Sequence, residues 1–284
     1  MDLTTILEFL AAPFVASLIL TGIHAYLGVH VVERGVIFVD LSLAQIAALG
    51  ATIAVLLPFS GGDPHAPVVY WISLAFTFIG AAVFSTIRSR RARIPQEAII
   101  GICYAVASAA AILAMSKATS QAEHLNDMLV GNILSVSWHD VWKTAMLYGV
   151  VGLFHFVFRK QFLAISMDPK RAEASGLSIR LWDFLFYASF GFVVTSSVSI
   201  AGVLLVFCYL IVPSVAAMLY AESIGRRLAI GWTMGTIVSA LGVYLSLVLD
   251  LPTGATIVCT FGFVLILMAA ARPFIRPARQ GSLG

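Results

Sequence analysis

The chain has 284 residues, of which 60% are hydrophobic and only 11% charged. Soluble globular domains carry about 25% charged residues. So few charges cannot coat a water-facing surface, which excludes a soluble domain and makes the bilayer the solvent of a single integral-membrane domain over 1–284.

From the N-terminus, Met1 to Phe9 carries Asp2 and Glu8 but no Lys or Arg, so no secretory signal peptide is expected there. Nine apolar stretches of spanning length follow, at about 11–32, 37–57, 68–87, 97–115, 141–158, 182–198, 201–221, 228–249 and 255–271. The expected fold is an all-α, polytopic transmembrane helical bundle. The sixth and seventh spans nearly fuse around Ser196, Ser197, Val198 and Ser199, which predicts a broken helix there. Leu129 to Val136 is apolar but too short to cross, and reads as an interfacial or re-entrant piece. Cys103, Cys208 and Cys259 sit in apolar runs with no C-x-x-C pair, as small buried hydrophobes do. Small residues recur at Ala44, Ala47, Ala48 and Ala51, and at Gly231 and Gly235, where they permit close helix approach.

Charge orients the bundle. Fifteen of the 17 basic residues fall around Arg34, in 88–93, 159–180 and 222–227, and in 272–284. The positive-inside rule puts those segments in the cytoplasm, with the N-terminus outside and the C-terminus inside. The basic residues are spread along one membrane face, with no nucleic-acid module.

The polar residues inside the spans come next. Asp40, in the second span, is either a translocation-path ligand for a cation or, a turn from the cytoplasmic edge, a group that snorkels or caps the helix start. Gln45 lies about 140° further round the same helix, and is either a path residue or an interhelical hydrogen-bonding group. His24, mid-way along the first span, either lines the path or is hydrogen-bonded within the bundle. His30 is six positions on, outside the spacing that brings two ligands together. Glu33 and Arg34 read as a local pair at the span's end, and Asp183 as a complement to a helix dipole. The 116–140 loop holds Glu123, His124, Asp127, His139 and Asp140, a solvated face or a docking place for a soluble protein.

Between the fifth and sixth spans lies a hydrophilic interruption from Ser166 to Leu177. Asp168 is an N-cap residue followed by Pro169 at the first helical position, and Gly176 supplies the C-cap. This predicts a helix of about two turns facing the cytoplasm. Lys170, Arg171 and Glu173 are expected to be exposed, with Ala172 and Ala174 as small contact positions. A span has no need of such a helix, so it is read as the dock for a soluble partner. No G-x-x-x-x-G-K-[ST] phosphate loop and no H-E-x-x-H motif occurs, so nucleotide binding by that loop and zinc proteolysis are not expected of this chain.

Four stretches in order carry a family resemblance. Asp168-Pro169 through Ala172 to Gly176-Leu177 resembles a D-P-x-x-A-x-x-x-G-L coupling segment. Ala201 to Val206 with Leu210 to Ala217, Asp250 to Ile257, and Leu129 to Leu134 resemble three further motifs of the same family. The family is that of membrane permease subunits of metal-uptake ABC transporters, of the zinc, manganese and iron type, and the likeness runs from about Ala11 to Ala271. It implies a homodimer in a bacterial inner membrane and an ATPase that binds ATP on the cytoplasmic side. It also implies an external solute-binding protein, and a divalent metal as transported substrate rather than resident cofactor. The chain itself would not be an enzyme. Asp168, Pro169, Lys170, Arg171, Ala172, Glu173 and Gly176 would form the ATPase coupling helix, and Asp40 would contact the metal. One departure stands out. The family's second span carries D-x-x-S-H, and Ala44 occupies the histidine's place here. His24 or another residue then replaces it, or the cargo is a metal complex.

Overall fold

The computed structural model describes residues 3–60, 63, 66–87, 94–116 and 133–275. Among them are ten α-helices: α1 (Leu3–Arg34), α2 (Val39–Leu56), α3 (Pro67–Ile87), α4 (Gln96–Met115), α5 (Trp138–Val157), α6 (Arg159–Met167), α7 (Pro169–Ala174), α8 (Ile179–Tyr220), α9 (Ile224–Leu249) and α10 (Thr253–Ile275). Seven are long and apolar enough to cross a membrane, and an eighth span arises if α5 and α6, bent by 74°, are taken together.

The nine expected segments map onto these helices with one complication at α8. This 42-residue helix holds Gly202 at φ 74, ψ 163, a non-helical conformation. Its contacts with α1 reveal what happens there. Asp183 meets Arg34, Ser197 meets His24, and Leu210 and Ser214 crowd Gly28. An unbroken helix rises about 40 Å from Asp183 to Leu210, whereas Gly28 to Arg34 covers about 9 Å of α1. The two arms of α8 therefore double back on each other, antiparallel and then parallel to α1. They correspond to the sixth and seventh expected segments. The break falls at Gly202, not in the serine run at 196–199, because that dihedral pair is open essentially to glycine alone.

Helix ends follow their chemistry. Gly35, at φ 66, closes α1, with Val36 N–H bonded to Val31 O and Gly35 N–H to Val32 O. This paired pattern satisfies two terminal carbonyls. Ser137 and Asp140 form a reciprocal capping box at the start of α5. Asp140 is thus engaged by its own helix, while Glu123, His124 and Asp127 lie outside the described residues. So do Leu129 to Asn132; Ile133–Ser135 is a single 3₁₀ turn.

The core is built where α8 threads between its neighbours. Phe186, Tyr187, Phe190 and Tyr209 of α8 are fully buried with Phe84 of α3, Phe162 of α6 and Phe261 of α10. Glycines admit the closest approaches. A Cβ on Gly235 would fall 2.3 Å from Thr21 Cγ2, and one on Gly191 2.7 Å from Thr77 Cγ2. Gly231 and Ala25 likewise meet in α9 and α1, so the small residues of α9 serve close packing as expected. Of the cysteines, only Cys208 is buried; Cys103 is half-buried, Cys259 is exposed, and all three are free.

Candidate functional site

The polar interruption after α6 folds as the sequence predicts. The Asp168 side chain accepts from Arg171 N–H at 3.0 Å, with Pro169 in the first turn. At the other end, Leu177 N–H bonds Ala172 O, Gly176 N–H bonds Glu173 O, and Gly176 sits at φ 89. Both ends of a six-residue helix are thereby saturated, which is why so short a segment holds its shape. Asp168, Lys170, Arg171 and Glu173 are exposed. Ala172 is buried against the chain itself, whereas Ala174 is exposed, so only one of the two alanines is an internal contact.

The helices on either side of α7 are locked down. Phe162 of α6 stacks on His155 of α5 at 4.3 Å and meets Trp182 of α8 edge-on at 5.4 Å. Behind them lies a buried polar belt. Arg34 Nη1 donates to Asp183 Oδ1 at 2.5 Å, with both side chains fully enclosed. Arg34 Nε donates to Ser166 Oγ at 2.9 Å, and that hydroxyl lies 2.8 Å from His30 Nδ1. The guanidinium carbon stands 3.9 Å over the Phe186 ring. Two expectations are corrected here. Asp183 does not complement a helix dipole but pairs with Arg34, 149 positions away. Glu33 does not pair with its neighbour Arg34 but accepts from Arg227 of α9. A guanidinium that enters the bundle needs a buried carboxylate, and Asp183 of α8 supplies it.

Higher in the bundle, His24 is fully buried. Its Nδ1 lies 2.8 Å from Leu20 O, a carbonyl that can only accept, so Nδ1 carries the proton and Nε2 the lone pair. Nε2 faces Ser197 Oγ at 3.1 Å, in a cluster with Tyr148 and Ser196. His30 and His155 are buried as well; His155 Nε2 bonds Ser189 Oγ at 2.8 Å, and Tyr26 stands between the two rings. Composition and spacing pointed to neither Tyr148 nor His155. The signal was there only as polar atoms in apolar runs.

Asp40 occupies the first turn of α2 and is 1% exposed, yet its Oδ1 has no hydrogen-bond partner. The capping explanation does not hold for it: no side chain caps this helix start, and the N-cap amide, Phe38 N–H, is bound by Glu97 Oε1 of α4 at 2.9 Å. Gln45 is buried one turn further along α2, and Ala44 is buried beside it. His24 bonds Leu20 and Ser197 and meets the Tyr148 ring of α5 edge-on at 6.2 Å; none of these contacts is with Asp40 or Gln45. Among the described residues, no group of three or more His, Cys, Asp or Glu side chains is arranged to hold a metal. A carboxylate oxygen without a partner at such depth costs free energy, which a transient cation would offset.

The model of the ABC 3 transport family matches residues 6–272. The "Manganese transport system membrane protein MntC" of Listeria innocua is 29% identical over 227 residues, covering 78% of this chain and 79% of the relative. The "Chelated iron transport system membrane protein YfeC" of Yersinia pestis is 27% identical over 242 residues, covering 85% and 79%. A solved structure, PsaBC from Streptococcus pneumoniae in complex with Fab, superposes with a TM-score of 0.76 at 23% identity, over 95% of this chain and 92% of that one. That likeness shows the fold. With a family match over nearly its whole length and a polytopic helical bundle to carry it, this chain belongs to the ABC 3 transport family as a membrane permease subunit.

Proposed function

We propose that this chain is the permease of an ATP-driven importer that moves divalent metal ions, manganese, iron or zinc, inward by alternating access. The observation that carries the reading is α7, an exposed helix capped at both ends whose flanking helices are buried in the bundle. It is the shape a cytoplasmic ATPase needs in order to push on a membrane domain. The whole chain acts as one permease unit, with the α7 end in the cytoplasm and the N-terminus outside, in the bacterial inner membrane among lipid. Two copies pair, two ATPase subunits bind ATP below them, and a solute-binding protein delivers the metal from outside. Asp40 contacts the cation, with Gln45 and the Nε2 lone pair of His24 further along the path. Asp168, Pro169, Lys170, Arg171, Ala172, Glu173 and Gly176 form the coupling surface.

A second cargo, a metal chelate, is favoured by Ala44, which removes an imidazole where the resembling permeases have one. A relative named for chelated iron points the same way. The test is reconstitution in liposomes with the cognate ATPase and binding protein. ATP hydrolysis stimulated by a free divalent ion supports the first cargo; stimulation only by the chelated form supports the second. Uptake without ATP or a second subunit would overturn the importer reading. Replacement of 168–176 by Gly and Ser is expected to abolish capture of the ATPase.

A further inference from the structure

We propose that Arg34 is a positioning residue that carries the movement of α7 into the bundle, by clamping the chain on both sides of that helix to the end of α1. The inference rests on reading α7 as the ATPase dock. It concerns what lies behind the dock.

Its basis is where two nitrogens and the flat face of one guanidinium go. Ser166 lies just ahead of α7, in the last turn of α6, and receives Arg34 Nε at 2.9 Å. Asp183 lies just beyond α7, near the start of α8, and receives Arg34 Nη1 at 2.5 Å. Phe186, one turn further along α8, presents its ring face at 3.9 Å. A single side chain thus spans the entry to and exit from the exposed helix. A push on α7 must be transmitted through these two flanks, and both are fastened to the same residue. From Arg34 the load passes along α1, through His30, which shares Ser166, to Tyr26 and on to the His155 ring of α5.

Stability alone does not call for this arrangement. A fully enclosed ion pair loses hydration that its Coulomb attraction roughly returns, and well-packed apolar residues do as well or better. What such a pair supplies is a defined geometry. The planar fork of arginine bonds a hydroxyl and a carboxylate from two separate nitrogens in fixed directions, whereas the donors of a lysine all radiate from one freely rotating nitrogen.

The test uses the full permease–ATPase–binding-protein complex in liposomes, with Mn²⁺ as the probe, and reads Mn²⁺ taken up per ATP hydrolysed. Arg34→Lys keeps a charge opposite Asp183 but cannot also reach Ser166. Ser166→Ala removes the α6 arm without touching any charge. Each variant is expected to capture the ATPase and hydrolyse ATP as the wild type does, while uptake per ATP falls about fivefold. The double variant should be no worse than either single one, because both cut the same connection. A ratio within about twofold of wild type in Ser166→Ala would overturn the proposal, including where Arg34→Lys fails to assemble. Loss of ATPase capture in both variants would also overturn it, since the residues would then belong to the dock itself. A wild-type complex that neither captures the ATPase nor couples ATP to uptake would bring down the reading of α7, and this inference with it.

Discussion

Gly28→Ala tests the doubling back of α8 with one methyl group. A Cβ at Gly28 would lie 2.0 Å from the Leu210 carbonyl oxygen and 2.3 Å from Ser214 Oγ. Non-bonded heavy atoms rest about 3.5 Å apart, so α1 and the second arm of α8 must separate by more than 1 Å. The obstacle is backbone, which no rotamer change relieves. Overpacking of this kind costs about 1–3 kcal/mol, against a gain of roughly 1 kcal/mol from replacing a helical glycine by alanine. The expected net loss is up to about 2 kcal/mol, toward the upper end because the clash is with backbone. Gly22, in the same helix, has nothing within 4 Å of its virtual Cβ. Gly22→Ala should therefore keep the propensity gain of up to about 1 kcal/mol. Thermal denaturation of both variants in the same detergent, followed by loss of the monodisperse species, compares them directly. Gly28→Ala must melt below wild type and Gly22→Ala at or above it. Equal midpoints would mean that the second arm of α8 does not lie against α1, and the two-armed reading would fall.

Three further outcomes follow from single positions. Gly202→Ala should lower the melting midpoint by the equivalent of about 1–3 kcal/mol, because only glycine readily holds that backbone conformation; an unchanged midpoint would show that the turn lies elsewhere. Asp168→Ala removes the side chain that binds Arg171 N–H and should cost the short α7 about 1 kcal/mol. It is read as roughly fivefold weaker capture of the ATPase in a binding titration, and unaltered capture would separate the cap from the dock. Asp40→Ala should abolish metal uptake while assembly and melting midpoint hold, since it deletes a buried oxygen that has no partner in the fold. Wild-type uptake by that variant in a radiometal assay would make Asp40 a structural residue.

What the sequence disclosed, and what it withheld, divides along a physical line. Depth in the membrane is written in runs of apolar residues, so the crossings were legible, including the two arms of α8 on either side of Gly202. The caps of α7 were legible for a different reason. Asp-Pro at one end and Gly at the other act within a few residues, and local chemistry needs no knowledge of the rest of the fold. Azimuth is another matter. Which way a side chain points round its helix depends on how ten helices pack, and small errors in phase send it to a different neighbour. Arg34 shows the consequence. With Glu33 beside it, pairing at the membrane edge was sufficient explanation, yet the two side chains point apart, one to α9 and one to α8. Asp183 had equally good grounds to serve its own helix start.

Asp40 differs from both because its meaning lies in what it lacks. A carboxylate near a helix start is ordinarily accounted for by capping. Here Glu97, from a different helix, takes the Phe38 amide, which strips Asp40 of the ordinary role. A sequence cannot show that a role is already filled by a residue 59 positions away. The same logic separates the charged groups of this bundle into two kinds. Arg34 and Asp183 neutralise each other's charge, whereas Asp40 has a buried oxygen that bonds to nothing in the fold. Under the function proposed above, the paired carboxylate would serve coupling and the unpaired one the cation. Charge reversal across the pair, Arg34→Asp with Asp183→Arg, is expected to recover assembly lost in either single variant but not uptake per ATP, because the arginine would then sit on α8 and no longer join α1 to Ser166; full recovery of uptake would show the pair to be structural only.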